Sequence, residues 1–125
     1  MPYTISFEPR GTYKRFHGFV DAREFTRSAE EVQAAPDFDS FRYTINDFTD
    51  VTGFDVGRSQ VDLVAAMTTG SRFTNDRIVI VVVTADPRIR ALTEHFRSSS
   101  PRISETRVFD TLDAARDWIK ERFGV

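Results

Sequence analysis

Ile78-Val79-Ile80-Val81-Val82-Val83 is the longest uninterrupted apolar run in the chain. Six residues fall far short of the ~20 needed to span a bilayer. The branched side chains suit a strand, and the absence of alternation marks one buried on both faces, as in a parallel sheet. The run therefore predicts a central strand. Beyond it, Asp86-Pro87 supplies an N-cap and an N1 proline ahead of Ile89, Leu92 and Phe96, whose spacing predicts a helix. Before it, residues 56–69 read as another helix, ended near Gly70.

Alternating signals continue outward to both ends. Tyr3-Thr4-Ile5-Ser6-Phe7-Glu8 has the period of two expected of a half-buried strand, and Pro9-Arg10-Gly11-Thr12 has turn chemistry. Residues 13–20 then complete a hairpin. Asp21 and Glu24 form a capping box for a first helix carrying Phe25, Ala29 and Val32, stopped by Pro36. Residues 41–46 alternate as a third strand, with a loop expected at 49–55. Thr106 to Phe109 reads as a short last strand. Asp110 or Thr111 caps a fourth helix with Leu112, Ala115, Ile119 and Phe123 on one face.

The order β-β-α-β-α-β-α-β-α predicts an α/β fold: a five-stranded, mostly parallel sheet with an antiparallel N-terminal edge strand. Five strands at ~4.8 Å spacing make a sheet ~24 Å wide, and each helix occupies ~10 Å. The four helices therefore divide over the two faces. Thr4, Ser6, Arg42, Thr44 and Asn46 give the outer strands a polar face, predicted to be incompletely covered. One domain is expected over residues 1–125.

Composition narrows the function. The net charge is −2 with the signs interleaved, which argues against nucleic acid as a partner. Cysteine is absent, which removes disulfides, thiolate metal sites and thiol nucleophiles. Met1-Pro2-Tyr3-Thr4 lacks the layout of a signal peptide, so a soluble cytoplasmic protein is expected. Twelve phenylalanines point to an aromatic core.

Chemical motifs are sparse. No nucleophile elbow, phosphate-binding loop, dinucleotide fingerprint or paired-histidine metal motif occurs. His17 and His95 fall on different elements and read as surface side chains. Asp47, Asp50 and Asp55 follow the third strand, where an open α/β sheet places its ligand, yet turn formation at Asp50 and helix capping at Asp55 explain them better than a cation does. No cofactor or metal is expected. In the second helix, Val56, Leu63, Val64 and Met67 form an apolar stripe that Val61 and Ala65 widen to roughly 200°, twice what one contact needs. Arg58, Asp62 and Thr69 hold the polar wedge.

Four stretches carry a resemblance that covers nearly the whole chain. They are Phe16-His17-Gly18-Phe19-Val20, the run from Tyr43 to Val51, the strand Arg77 to Val82, and the run from Val108 to Ile119. On these the chain resembles the SpoIIAA-like family, a STAS-like branch related in fold to CRAL-TRIO lipid-binding domains. The resemblance implies small bacterial proteins for which ligand binding and membrane association have been suggested. The wider group's anti-sigma-factor antagonists carry a phosphorylatable serine in a D-S-S-G-like turn before the second helix. Here Asp50-Val51-Thr52-Gly53-Phe54-Asp55 keeps an Asp and a Gly but offers no serine, and Thr52 is a poor stand-in, so the usual phosphoserine switch is not expected.

The expectation is a non-enzymatic binding module for an apolar or amphipathic small molecule or a membrane surface. Its site would lie between the second and third helices: Leu63, Val64 and Met67 facing Leu92 and Phe96, with Phe54 and Phe73 in the flanking loops. The alternative is a regulatory protein–protein interaction domain, pairing with a partner protein or with a second copy of itself.

Overall fold

The computed structural model describes residues 2–99 and 104–125; Met1, the first residue of the signal-peptide reading, lies outside them. Its elements are β1 (Tyr3–Glu8), β2 (Gly11–Asp21), α1 (Ala22–Gln33), β3 (Tyr43–Asp55), α2 (Arg58–Ser71), β4 (Val79–Val83), α3 (Pro87–Ser98), β5 (Thr106–Phe109) and α4 (Leu112–Phe123). A short 3-10 turn at Phe38–Ser40 precedes β3. The five strands form one sheet in the order β1-β2-β3-β4-β5. β1 is antiparallel to β2 at the edge, and every other pairing is parallel.

Sequential order decides where the helices go. Each crossover from β2 to β5 steps one strand in the same direction, and right-handed connections place all such helices on the same face. Phe25 of α1, Val61 of α2 and Ile89 of α3 accordingly share a core with Phe16, Phe48 and Val82 of the sheet. α4 has no strand after it and folds back over the other face. There Ala115 and Ile119 pack on Tyr43, Ile45 and Val81. The helices divide three to one.

Local signals hold the helix ends. Asp21 Oδ1 accepts from the Glu24 N–H at 2.9 Å, Asp86 Oδ1 from Arg88 at 2.8 Å, and Thr111 Oγ1 from Ala114 at 3.2 Å. Asp55 does not cap α2. Gly57 is the N-cap, and the Gln60 side chain returns to accept its N–H at 2.9 Å. In the β1–β2 hairpin the turn residues are Pro9 and Arg10, the latter at φ 67°.

Two placements differ from the sequence reading. β4 is buried on both faces but lies next to the edge strand, and the middle position belongs to β3. β3 also continues through residues 49–55, which were expected to be a loop. It pairs with β2 as far as Asp21 and Asp55, whereas its pairing with β4 ends at Asp47 and Val83. The far halves of β2 and β3 thus form a two-stranded parallel ribbon extending past the sheet, irregular in register around His17 and Gly18.

Candidate functional site

Period-two alternation assigns the side chains of the three middle strands to faces. Thr12, Lys14 and Phe16 of β2, Thr44, Asn46 and Phe48 of β3, and Ile80 and Val82 of β4 point toward α1, α2 and α3. Tyr13, Arg15, Tyr43, Ile45 and Asp47 point toward α4. The polar positions of β3 therefore do not form an uncovered face. Thr44 and Asn46 are buried, under the three-helix layer.

Between that layer and the sheet lies a cavity of about 110 Å³. Phe25, Ala29 and Val32 of α1, Val64 of α2, and Leu92 and Phe96 of α3 give it apolar walls, and Lys14, Thr44 and Asn46 give it a polar floor. The floor is largely satisfied from within. Thr12 Oγ1 donates to Thr44 Oγ1 at 2.8 Å, and Asn46 Nδ2 donates to the Val81 carbonyl at 3.2 Å. Lys14 differs. It is buried, its one hydrogen bond among the described residues is a 3.4 Å contact to Ser28 Oγ, and its ammonium stands 5.7 Å from the Phe16 ring centre. Burial pushes its pKa down to about 8, and the charge of Glu31 opposes this only in part. Glu31 is itself engaged by the Tyr3 hydroxyl at 2.8 Å.

Of the seven residues expected to form a site, Phe54, Val64, Leu92 and Phe96 line this cavity, although Phe54 sits on β3 and not in a loop. Leu63, Met67 and Phe73 do not line it. Leu63 is 52% exposed, Phe73 after α2 is 92% exposed, and Met67 is half-buried. The buried stripe of α2 is Val61, Val64, Ala65 and Thr68, spaced i, i+3, i+4, i+7, which turns the helix away from the predicted face. Thr68 tolerates burial because its hydroxyl returns to the Val64 carbonyl at 2.8 Å. Sequence reasoning missed Lys14, Thr44 and Asn46. The available signal was parity: Lys14 shares its face with Phe16, a core residue.

The other polar candidates are separately engaged. Asp47 accepts from the Tyr13 hydroxyl at 2.6 Å and from the backbone and side chain of Thr49, while Asp50 pairs with Arg15 at 2.8 Å. Asp55 is exposed at the end of β3. Among the described residues no cluster of acidic or histidine side chains has the geometry to hold a metal ion. His95 does have a partner: its Nε2 lies 2.7 Å from Asp62 Oδ1, which links α3 to the polar wedge of α2. Thr52 is exposed within β3, and Ser59 is exposed in the first turn of α2. No helix among the described residues is long and apolar enough to cross a membrane.

No protein-family model matches this chain, and no curated protein sequence does. Solved structures do. The unphosphorylated anti-sigma factor antagonist SpoIIAA superposes with a TM-score of 0.63 at 14% identity, covering 94% of this chain and 97% of that one. The phosphorylated form of SpoIIAA, described as a Bacillus cell fate determinant, gives a TM-score of 0.59 at 12% identity, covering 94% and 98%. The overlap is near-complete in both directions: the chain has the SpoIIAA fold, of the STAS-like kind.

Proposed function

We propose that this chain is a regulatory protein-interaction module that performs no catalysis of its own. The observation that carries this reading is the end-to-end likeness to SpoIIAA, an anti-sigma factor antagonist and so a protein that acts through other proteins. The β2–β3 ribbon offers the contact surface. Phe19 is 61% exposed there, and its ring lies over Gly53 on the neighbouring strand. Among the described residues no strand lies beside the outer edge of β3 beyond Asp47, so a partner can add main-chain hydrogen bonds next to an exposed aromatic anchor.

The test is a reconstituted complex. A protein captured from the native host should re-form a stoichiometric complex with the purified chain, and Phe19→Asp, folded by circular dichroism, should weaken it at least tenfold. A complex indifferent to that substitution would remove the ribbon from the interface. Failure to reconstitute any stoichiometric complex would remove the reading itself.

The cavity favours a second reading, the binding of a small apolar or amphipathic molecule under α1, α2 and α3. Its size selects among ligands. Sites for drug-sized molecules run to ~300–1,000 Å³, so about 110 Å³ suits a small molecule better than a lipid chain. The structural likenesses lend no support to lipid or membrane binding.

A further inference from the structure

We infer that the cavity is a site for a short-chain monocarboxylate, its carboxylate on the Lys14 ammonium and its alkyl part against Ala29, Val64, Leu92 and Phe96. This rests on the second reading above, that the cavity holds a small molecule, and adds the chemical class. Three observations converge on it. The first is the charge. Lys14 is buried beside the cavity, and among the described residues no carboxylate lies within ion-pair distance of it. An ammonium carries three donors, and Ser28 Oγ, at 3.4 Å, takes only one of them. A buried charge with so little compensation is costly unless something pairs with it.

The second is the count of compensating groups. The walls are mainly apolar: the Thr68, Ser71 and Thr93 hydroxyls on them donate to carbonyls of their own helices, Thr44 Oγ1 accepts from Thr12 Oγ1, and Asn46 Nδ2 donates to the Val81 carbonyl. One cation in an apolar chamber matches one negative charge on an otherwise apolar molecule. A phosphate, with more charge and more acceptors, would be left under-satisfied. The third is volume. An engineered apolar cavity of ~150 Å³ holds benzene, so by proportion about 110 Å³ admits roughly four to five non-hydrogen atoms. Propionate has five.

The experiment is an NMR titration of the intact chain with sodium propionate and, separately, with 1-propanol, at matched ionic strength, following the methyl groups of Ala29, Val64 and Leu92. The expected result is saturable shifts with both, propionate binding at least tenfold tighter. Lys14→Met, close in shape and uncharged, should erase that preference while still admitting propanol. Val64→Phe should fill the chamber and block both probes, which locates the site even if the lysine variant fails to fold. Equal affinities for acid and alcohol in the unsubstituted chain, or a preference that survives Lys14→Met, would overturn the carboxylate assignment and leave the cavity as an apolar site. Absence of shifts at these methyls with either probe would overturn the small-molecule reading as well.

Discussion

Lys14 shows how one side chain ties the strand pattern to both stability and binding. Below pH 8 it is protonated in native and unfolded chains alike, and the native state bears the full cost of burying the charge. Between about 8 and the ordinary lysine value of 10.5 the unfolded chain holds the proton and the native chain has shed it, so stability rises with pH across that window. Tyrosines set the upper limit. Burial, helped by hydrogen bonds to Glu31 and Glu8, pushes Tyr3 and Tyr43 up to about 12, so above pH 10 the unfolded chain loses protons first and stability falls again. Lys14→Met should raise stability at pH 7 by about 1–4 kcal/mol and flatten the rise between pH 8 and 10, as read by urea unfolding at a series of pH values. Gly11 makes a different demand. A Cβ there would come within 2.5 Å of the Tyr43 ring, which Phe123 backs at 5.9 Å and whose hydroxyl is held by Glu8 at 2.7 Å. Gly11→Ala should therefore lower the unfolding midpoint, whereas Gly70→Ala, at a position with open space, should not.

Among the elements, α4 depends most on burial. Ala115 is fully buried and Ile119 is 1% exposed, so Ile119→Ala should cost about 2–5 kcal/mol. An unchanged midpoint would mean that the helix packs by another face. Trp118, half-buried beside Phe109, adds the stacked guanidinium groups of Arg107 and Arg122. α4 is also pinned to the first hairpin. Arg116 makes a two-pronged contact with Glu8 at 2.6 and 2.7 Å, and this guanidinium holds the Glu8 carboxyl below its usual range. A depressed native pKa gives stability that is present above the unfolded value and is lost as pH falls through the native one. Glu8→Gln should be less stable than the unsubstituted chain at pH 7 and should converge with it as the pH drops below 4. Parallel acid limbs in the two proteins would contradict this.

Across the whole molecule, uneven pairing predicts uneven stability. The segment where β1 to β4 all pair, around Lys14 and Ile45, is held from both sides, whereas among the described residues the ribbon at 18–21 and 50–55 has no outer strand beside it, and His17 at its root donates its N–H to the Pro2 carbonyl at 2.8 Å. Native-state hydrogen exchange should find the amides of Ile45 and Val81 opening only with global unfolding, and those of Val51 and Gly53 opening at lower free energy. Uniform protection along β3 would refute this. The proposed partner-binding surface would then lie on backbone free to adapt, while the cavity would sit in the most cooperative part of the fold.

Much of this architecture was legible in the residues. The bounds of β1 and β5, the caps at Asp21, Asp86 and Thr111, and the packed face of α4 follow from local chemistry and periodicity, which act over a few residues and are written directly in the chain. Strand order is not written there. Once β2 to β5 are laid down in sequence, handedness sends α1, α2 and α3 to one face, and the side of the sheet bearing Lys14, Thr44 and Asn46 becomes interior. Polarity alone assigned Thr44 and Asn46 to an incompletely covered face, because alternation divides a strand into two faces without saying which one a helix will cover. The rotation of α2 was undecided for the same reason. Its apolar residues surround most of the helix, and only contact with α1 and α3 selected Val64 for the cavity and left Leu63 outside.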